Sequence, residues 1–587
     1  MCGILAMYSK RINKDLFKKS LDLMTHRGPD DSGLYFKDDI ALGHRRLSII
    51  DLSENAHQPM SNENKNLWIT YNGEIYNFKE LRKELEDKHT FKSNSDTEVI
   101  IHAYEEWGNE CVEKFNGMFA FVIYNSTNNK LFIARDRTGI KPLYYYSDEE
   151  KIIFSSEIKS MFPLGVAKEI NKDILYDYIN YQILIGEETL IKNVFSFPPG
   201  HYTTIDKNGM IKVKYWDTNF TDDNIEDNLK DILEQSVKRQ LISDVPVGAF
   251  LSGGIDSSTI VALAKKHKPD IKTFTVGFDD FPDEIEAAKF TAKELGVENY
   301  SISLSAEQFI EELPKIIYQY DMPLSFASSV PLYFVSKLAR DNNVKVVLTG
   351  EGADELFAGY RRYNLIQKVI RLSKFIPGVM IINFSDPRYY KMAEMLMCGF
   401  TYDYLTGINS IIGEDRQKII KFNKSNILRD KVKEIFDSKQ TDFTNKLLYL
   451  DFKTYLVELL MKQDKMSMAA SIESRVPFLD NEVIDFANSI PSNLKLHNGK
   501  GKYILKESVK DILPKSIINR KKVGFSVPLN KWFKGKLNGY IKEQLLGGDL
   551  DEYFNRDYIE KLIKKKNNSL QLWALLNFKI WKDVVLK

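Results

Sequence analysis

The chain has 587 residues, of which 43% are hydrophobic and 28% are charged, and its formal net charge is +1. This length exceeds what one hydrophobic core supports and predicts about three or four domains. The composition is typical of a globular protein rather than a disordered one. A net charge this close to zero excludes the strong fields that favour nucleic acid or an anionic membrane surface as a partner.

The cysteine content and the first residues of the chain predict a cytoplasmic protein. Cys2, Cys111 and Cys398 lie too far apart for a metal motif or a disulfide framework, as expected in a reducing compartment. Lys10 follows the start too closely for the apolar core of a signal peptide. No run of about 18 apolar residues occurs, so no membrane span is predicted.

Cys2 is the first candidate for chemistry. Cysteine is small enough that removal of Met1 is expected, which would leave a thiol and a free α-amine on one residue. An α-amine with a pKa of about 7.7–8.0 can accept the thiol proton near neutral pH, so Cys2 would be a nucleophile with its own base. Position alone favours a small buried hydrophobe without chemistry. The motifs further along the chain favour the nucleophile.

Residues 1–205 are predicted to form a first, strand-rich domain. Apolar runs separated by polar turns predict antiparallel strands, and they lie at 119–124, 131–134 and 152–154. Helical periodicity occurs near residues 14–25, 78–88 and 97–107. Pro-Pro-Gly at 198–200, followed by polar residues, predicts a boundary, so residues 206–228 are assigned to a linker.

Residues 229–587 are predicted to form a second unit with a parallel sheet. Short apolar runs followed by helical stretches lie at 247–251, 273–277 and 344–348. This alternation is typical of a parallel sheet flanked by helices. Beyond about residue 360 the pattern predicts mostly helix, and the stretch 364–446 contains no recognisable motif.

The first of these strands leads into Leu251-Ser-Gly-Gly-Ile-Asp-Ser-Ser258. A Ser-Gly-Gly turn lets backbone N–H groups approach an anion, and the following helix N-terminus adds partial positive charge. Asp256 would repel phosphates unless a divalent cation lies between them. The alternative, a capped strand–helix turn without a ligand, is disfavoured because the complete pattern is rare. The loop is not a Walker A motif, since no Gly-x-x-x-x-Gly-Lys-Ser/Thr occurs.

A second glycine-rich loop follows the strand near residue 348. It carries three acids, Glu351, Asp354 and Glu355. A carboxylate opposite Asp256 is what a Mg²⁺–pyrophosphate site needs, although the acids of such a loop considered alone could simply be solvated. The loop at 252–258 resembles the pyrophosphate loop of the PP-loop ATPases, which cleave ATP between the α- and β-phosphates.

The whole chain resembles the glutamine-dependent asparagine synthetase family. In the first half the resemblance depends on Met1-Cys-Gly-Ile4, His26-Arg-Gly-Pro-Asp30, Arg46-Leu-Ser-Ile-Ile50, Asn72-Gly-Glu-Ile-Tyr-Asn77, Ser95-Asp96 and Arg135–Tyr144. In the second half it depends on residues 252–258, residues 350–360 and Glu473-Ser-Arg-Val-Pro-Phe-Leu-Asp480. It implies an α+β N-terminal-nucleophile sandwich, with two antiparallel sheets between helices. An α/β PP-loop domain with a parallel sheet and a helical C-terminal part follows.

The resemblance implies roles in a glutaminase site. Cys2 would attack the side-chain amide of glutamine, while the Asn72 amide and the Gly73 N–H would form the oxyanion hole. Arg46 would bind the substrate carboxylate and Asp96 its ammonium group. The implied glutamine-binding set is Arg46, Ile49, Ile50, Asn72, Gly73, Glu74 and Asp96. His26 and Arg27 would shape a loop without a catalytic role.

The resemblance also implies roles in a synthetase site. The implied ATP-binding set is Leu251, Ser252, Gly253, Gly254, Asp256, Ser257, Val276, Thr349 and Gly350. Asp256 and Asp354 would bind Mg²⁺, and Glu351 would serve the acyl-adenylate step. Lys502 would balance charge on the reacting phosphate, and it fits this role better than Lys500.

The implied reaction is the amidation of a carboxylate with ATP and with ammonia from glutamine, through an acyl-AMP. Aspartate is the default acceptor, and relatives of this layout act on other acids, including sugar acids of surface polysaccharides and peptide precursors. A β-lactam- or macrolactam-forming synthetase is disfavoured because such relatives generally lose the cysteine, which is present here. A non-catalytic sensor is disfavoured because Cys2, Asp256 and Glu351 are intact. Family resemblance further implies a homodimer.

Overall fold

The computed structural model describes residues 2–206, 209–221, 228–364, 366, 418–422, 425, 427–520, 527–565 and 568–587. Cys398 and most of the motif-free stretch 364–446 lie outside the described residues. The strands are β1 Cys2–Ser9, β2 Asp31–Lys37, β3 Ile40–Arg46, β4 Met60–Ser61, β5 Leu67–Ile75, β6 Gly117–Asn125, β7 Lys130–Arg135, β8 Tyr144–Ser147, β9 Lys151–Ser155, β10 Val194–Ser196, β11 His201–Asp206, β12 Gly209–Lys214, β13 Val247–Phe250, β14 Lys272–Phe278, β15 Glu298–Leu304, β16 Val346–Leu348, β17 Glu473–Arg475, β18 Leu496–His497 and β19 Lys500–Gly501.

The α-helices of the first half are α1 Lys14–Asp22, α2 Phe78–Leu85, α3 Asp96–Trp107, α4 Cys111–Lys114, α5 Lys172–Tyr181, α6 Leu229–Gln240, α7 Ile255–His267 and α8 Asp283–Leu295. Those of the second half are α9 Ala306–Glu311, α10 Leu313–Tyr320, α11 Ser329–Asp341, α12 Ala353–Leu356, α13 Ile427–Asp437, α14 Phe443–Lys453, α15 Tyr455–Ala469, α16 Asn481–Ser489, α17 Ser492–Lys495, α18 Tyr503–Ser508, α19 Lys515–Ile518, α20 Leu529–Lys534, α21 Asn538–Leu546, α22 Arg556–Lys564 and α23 Ser569–Trp581. Short 3-10 helices span Glu54–Ala56, Gly108–Glu110, Ile158–Leu164 and Pro477–Leu479, and a π-helix spans Lys582–Leu586.

Two six-stranded antiparallel sheets face each other in the N-terminal unit. Their strand orders are β10-β8-β9-β1-β3-β2 and β12-β11-β7-β6-β5-β4. The layer between the sheets is apolar and includes Ile4, Leu42, Val122 and Phe154. Because side chains alternate along a strand, the neighbours of these residues point to the outer faces, where helices cover them.

Helices cover both outer faces of this sandwich. On the first sheet, Leu5 of β1 shares a buried cluster with Phe17 and Leu21 of α1. On the second sheet, Phe121 of β6 shares a buried cluster with Ile100 of α3 and with residues of α2. The implied sandwich of two antiparallel sheets between helices is therefore confirmed.

A five-stranded parallel sheet organises the second unit. Its order is β15-β14-β13-β16-β17, and every adjacent pair is parallel. The strand order changes direction between β13 and β16, because β14 and β15 extend to one side and β17 to the other. In open α/β sheets ligands bind beyond the carboxyl ends of the strands at such a switch point. Both glycine-rich loops begin there.

Of the strands that the sequence pattern did not predict, three have a clear physical reason for being missed. β15 is an edge strand with only its last residue fully buried, so it lacks a continuous apolar run. β17 is the other edge strand, and its residues Glu473, Ser474 and Arg475 are polar although all three are buried. β12 falls inside the predicted linker 206–228 and pairs with β11 as the edge of the second sandwich sheet. Among the described residues, no helix has the length and apolarity to cross a bilayer.

Candidate active sites

Cys2 lies at the start of β1, opposite Arg46 of β3. Its side chain is buried, and burial raises the pKa of the thiol above its ordinary value. The Cys2 N–H donates a hydrogen bond of 2.9 Å to Asn72 Oδ1 on β5. Arg27 Nε donates to the Cys2 carbonyl at 3.0 Å. The position of the sulfur is therefore fixed by its backbone on both sides.

Asn72 and Gly73 meet the requirements of an oxyanion hole beside Cys2. Asn72 is fully buried, and its Nδ2 has no hydrogen-bond partner among the described residues. An unsatisfied buried donor is uncommon because it costs about 1–3 kcal/mol, and a ligand oxygen would satisfy it. A Cβ on Gly73 would lie 2.1 Å from the Met118 carbonyl oxygen, so only glycine fits there. The side-chain amide is thus held by the Cys2 N–H through its oxygen, and its nitrogen remains an unused donor.

Arg46 and Asp96, the expected partners of the substrate carboxylate and ammonium groups, are both buried and oriented by hydrogen bonds. Arg46 is buried, and its guanidinium donates to the carbonyls of Ser53, Ile50 and Asp51, which fix its orientation. Asp96 begins α3, and its Oδ2 accepts from the Tyr71 hydroxyl at 2.8 Å and from the Ile75 N–H at 2.9 Å.

Burial raises the pKa of Asp96 above its ordinary value despite these hydrogen bonds. Of the two expected apolar residues of this site, Ile49 is buried and Ile50 is half-buried.

Glu74, which follows Gly73 in the expected glutaminase site, contacts the second unit. Its Oε1 lies 3.5 Å from the guanidinium of Arg475, which is fully buried on β17. Arg475 also donates to Glu473 Oε1 at 2.6 Å, and its carbonyl accepts from the Thr349 N–H at 2.9 Å. Burial, and then the nearby charge of Glu473, raises the pKa of Glu74 well above its ordinary value. Arg475 therefore contacts both Glu74 in the first unit and Thr349, which follows β16 in the second.

The loop after β13, which is expected to cradle an anion, lies at the switch point. Gly253 has a φ of +71°, a conformation that favours glycine, and the loop ends at the N-terminus of α7. The hydroxyls of Ser252 and Ser257 lie 3.1 Å apart, and the Gly254 N–H points to Ser252 Oγ at 3.4 Å. A Cβ on Gly350 would lie 2.8 Å from the Ser257 nitrogen, so the two glycine-rich loops contact each other through backbone.

Lys502 lies between the two carboxylates implied as magnesium ligands. Its Nζ is 2.6 Å from Asp256 Oδ2 and 2.6 Å from Asp354 Oδ1. The side chain is buried, and its backbone has a φ of +55°, which is uncommon for lysine. Although burial opposes it, the charges of Asp256 and Asp354 raise the pKa of Lys502. Lys500 lies on β19 and is exposed, so only Lys502 reaches the carboxylates.

The donor set at this point suits Mg²⁺. Asp256 and Asp354 both direct carboxylate oxygens to Lys502 Nζ, so a metal ion bound to the same oxygens would displace this ammonium group. Mg²⁺ prefers one or two carboxylates together with substrate phosphates. Leu251, Val276 and Thr349 are buried beside the cradle, where the implied adenine and ribose contacts require apolar surface and backbone.

Glu351 and Glu355 form the acidic side of the second site. Glu351 Oε1 lies 3.3 Å from Lys462 Nζ of α15. Glu355 is buried and accepts from the Tyr360 hydroxyl. Burial, and then the charge of Asp354, raises the pKa of Glu355 to about 8. Glu351 is thus paired with Lys462, whereas the raised pKa of Glu355 favours its protonated form.

Sequence reasoning missed the residues that join the two units. Arg27 donates to Asp464 Oδ2 at 2.7 Å, and Lys141 Nζ lies 3.4 Å from Asp464 Oδ1. The sequence motif at 473–480 contains Arg475 but gave no indication of its partners. Lys462 and Asp464 precede this motif and belong to no motif. No sequence signal predicted these partners, because each pair is separated by hundreds of residues.

Comparison with known proteins gives matches over the whole chain. A model described as asparagine synthase matches residues 228–583, and one described as a glutamine amidotransferase domain matches residues 1–216. Asparagine synthetase (glutamine-hydrolyzing) 1 of Bacillus subtilis is 39% identical, with 100% of this chain and 97% of that protein aligned. A putative asparagine synthetase (glutamine-hydrolyzing) of Mycobacterium bovis is 32% identical, covering 100% and 98%. Amidase chry2 of Gibberella zeae is 28% identical, covering 92% and 91%.

Proposed function

Because the chain belongs to the asparagine synthetase family and is a ligase that uses glutamine, we propose that it converts aspartate to asparagine through an aspartyl-AMP intermediate. The products would be asparagine, glutamate, AMP and pyrophosphate. The observation that carries this proposal is the buried connection Glu74–Arg475–Thr349, which links a nucleophile pocket to an ATP cradle.

The glutaminase step begins with the Cys2 thiol. The thiol proton passes to the α-amine of Cys2, and the sulfur attacks the glutamine amide carbon. Negative charge then develops on the carbonyl oxygen, where Asn72 Nδ2 and the Gly73 N–H donate hydrogen bonds. Arg46 binds the substrate carboxylate bidentately and Asp96 pairs with its ammonium group. The α-ammonium group of Cys2 returns the proton to the leaving nitrogen, the C–N bond breaks and ammonia leaves. Water then attacks the thioester, which releases glutamate and restores the Cys2 thiol.

The synthetase step takes place between the two glycine-rich loops. Residues 252–257 and the N-terminus of α7 bind the pyrophosphate, and Leu251, Val276, Thr349 and Gly350 bind the nucleoside. Asp256 and Asp354 would hold Mg²⁺, which neutralises phosphate charge when it is bound. Lys502 adds a further cation as pyrophosphate leaves, and Glu351 assists the acyl-adenylate step.

Ammonia must cross from the first site to the second without release. Glu74 adjoins Gly73 in sequence, and Arg475 adjoins both Glu74 and Thr349 in space. Arg475 and Glu473 are fully buried, which supports a route shielded from bulk water. We therefore assign the transfer to this interface between the units.

Replacement of Cys2 by alanine tests the two-site assignment. The variant should lose glutamine-dependent amide formation and retain ammonia-dependent formation, measured as product with either nitrogen source. Normal use of glutamine by the variant would contradict the role of Cys2. Loss of the ammonia-dependent reaction in a folded variant would contradict the independence of the second site.

The acceptor requires a separate test because one relative is named an amidase rather than a synthetase. The enzyme should be given ATP, glutamine and single acids from a panel that includes aspartate, glutamate, sugar acids and peptide carboxylates. Pyrophosphate release is the measurement, and aspartate should stimulate it most. Stimulation only by another acid would replace aspartate and leave the amidotransferase chemistry in place.

A further inference from the structure

A cluster of histidine and glutamate side chains lies in the glutaminase unit and takes no part in the proposed reaction. Its members come from the β4–β5 loop, the segment after α2 and the middle of α3. We call it the α3 cluster, and it consists of Glu63, His89, His102 and Glu105. Their four ligand atoms all lie within 4.8 Å of one another.

The two carboxylates of the α3 cluster are oriented by groups outside it. Glu63 Oε1 accepts from the Thr90 N–H at 2.9 Å, and Glu105 Oε1 accepts from Asn62 Nδ2 at 2.7 Å. These bonds leave the second oxygen of each group facing the histidines. Glu105 Oε2 lies 2.8 Å from His102 Nδ1, and Glu63 Oε2 lies 3.9 Å from the same atom. In metal sites, a carboxylate that binds the ion is commonly also hydrogen-bonded by a neighbouring group, as these two carboxylates are.

The two imidazoles present the same nitrogen to these oxygens. Their rings stack with centroids 4.6 Å apart, and His89 Nδ1 lies 3.6 Å from Glu105 Oε2. His102 is fully buried, and its Nε2 has no hydrogen-bond partner among the described residues. That nitrogen lies 4.0 Å from Glu98 Oε1. A metal on Nδ1 would leave the proton on Nε2, directed at this carboxylate, which is a common arrangement around metal-bound histidine.

From this geometry we propose that the α3 cluster binds a Zn²⁺ ion. Two imidazole nitrogens and two carboxylate oxygens form a ligand set suited to tetrahedral zinc. Ligand atoms at about 2.0–2.2 Å from a tetrahedral ion lie about 3.3–3.6 Å apart, so the widest separation of 4.8 Å must shorten by about 1.3 Å. Glu63, in a loop and about a quarter exposed, can move toward the ion. Because a metal lies in the plane of each imidazole that binds it and the two rings stack at 24°, His89 must also rotate so that its Nδ1 and that of His102 point to one ion. The ion replaces the proton that His102 and Glu105 share.

The ion would fix the position of α3. It joins this helix to two separate loops, and α3 begins at Asp96, which accepts the hydrogen bonds from Tyr71 and Ile75 in the glutamine pocket. Glu105 lies nine residues further along, about 13 Å from Asp96 along the axis. Zinc therefore has a stabilising role, because none of its four ligands belongs to the proposed glutaminase site.

The test uses the full chain, stripped with a chelator and then given Zn²⁺ alone. Bound metal is measured by emission spectroscopy after gel filtration, and thermal unfolding is followed with and without zinc. We expect about one ion per chain and a higher unfolding temperature with zinc, because the ion binds only the folded form. Glu63→Gln and His89→Gln should abolish both effects.

The variants should fold normally, so that a loss of bound zinc reports on the α3 cluster and not on unfolding. Glu63→Gln keeps an oxygen to accept from Thr90 but lacks a carboxylate ligand. His267→Gln is the matched control, because His267 also faces a glutamate, Glu234, but lies outside the α3 cluster. It should bind zinc as the unaltered chain does.

Cys2→Ala separates the α3 cluster from a thiol site, since thiolates also bind zinc. Retention of the ion in this variant supports the α3 cluster. Loss of the ion on replacing Cys2, or equal zinc content in Glu63→Gln and the unaltered chain, would overturn the proposal.

Discussion

Replacing Asn72 with alanine should slow glutamine hydrolysis strongly and leave the ammonia-dependent reaction unchanged. Asn72 is fully buried beside Cys2, and its Nδ2 has no partner among the described residues. The donor is thus available to the oxyanion without first breaking another bond. Loss of one oxyanion-hole donor typically lowers kcat by about 10²–10³, or about 2.7–4 kcal/mol.

A second contribution comes from the other atom of the same side chain. Asn72 Oδ1 accepts from the Cys2 N–H at 2.9 Å, so alanine also removes a bond that positions the nucleophile. A typical hydrogen bond contributes about 0.5–1.5 kcal/mol net, which adds up to about another tenfold. The expected fall in the rate of glutamate formation is therefore between about 10² and 10⁴.

Asn72→Asp distinguishes the two contributions. Aspartate keeps an oxygen for the Cys2 N–H but replaces the donor with an acceptor, so its ionised form would repel the oxyanion. Glutamate release from glutamine should therefore be at least as slow as in Asn72→Ala. Ammonia-dependent amide formation serves as the control and should stay within about twofold of the unaltered enzyme in both variants. Glutamine hydrolysis by Asn72→Ala within about threefold of normal would refute the assigned role of Nδ2.

Three further predictions concern the synthetase site, the connection and the glutamine pocket. Lys502→Met should lower the rate of ATP–pyrophosphate exchange by about 10² or more, because Asp256 and Asp354 lose their shared cation. The control Lys500→Met should change this rate by less than about twofold. Equal effects of the two variants would contradict the role assigned to Lys502. Glu74→Gln should raise the ratio of glutamate to amide formed, and a ratio unchanged from that of the unaltered enzyme would remove Glu74 from the transfer route. Burial raises the pKa of Asp96, so on acidification this carboxylate should become protonated at a pH above the usual aspartate pKa of about 3.9. Its protonation should raise the KM for glutamine, and Asp96→Asn should abolish this pH dependence.

The sequence predicted those parts of the fold whose pattern is local. Strands such as β6 and β7 carry continuous apolar runs between polar turns, and the structure contains them at Gly117–Asn125 and Lys130–Arg135. β17 was missed because its residues Glu473, Ser474 and Arg475 are polar, and their burial is permitted only by partners elsewhere in the chain. Apolar periodicity cannot reveal a strand whose charges neutralise each other.

The same distinction applies to the candidate sites. Residues within a loop, such as those at 252–258, are placed together by the chain itself, so a motif is enough to indicate their shared surroundings. Arg27 and Asp464 are 437 residues apart and meet only because the two units pack together. Lys502 was preferred over Lys500 from a motif alone, and its contact with Asp256 and Asp354 depends on a left-handed backbone conformation that the sequence does not specify.

The interface between the two sites contains buried ionisable side chains, whose removal from water costs free energy that apolar side chains would not cost. Removing one partner of a buried ion pair typically costs about 3–5 kcal/mol, whereas hydrophobic residues of similar volume often stabilise as well or better. Stability alone therefore does not explain why Glu74, Arg475 and Glu473 are buried together. Under the proposed transfer route, these side chains would instead keep the path between the two sites closed to bulk water. Because Glu74→Gln keeps the volume and leaves Arg475 paired with Glu473, its effect should fall on transfer rather than on folding.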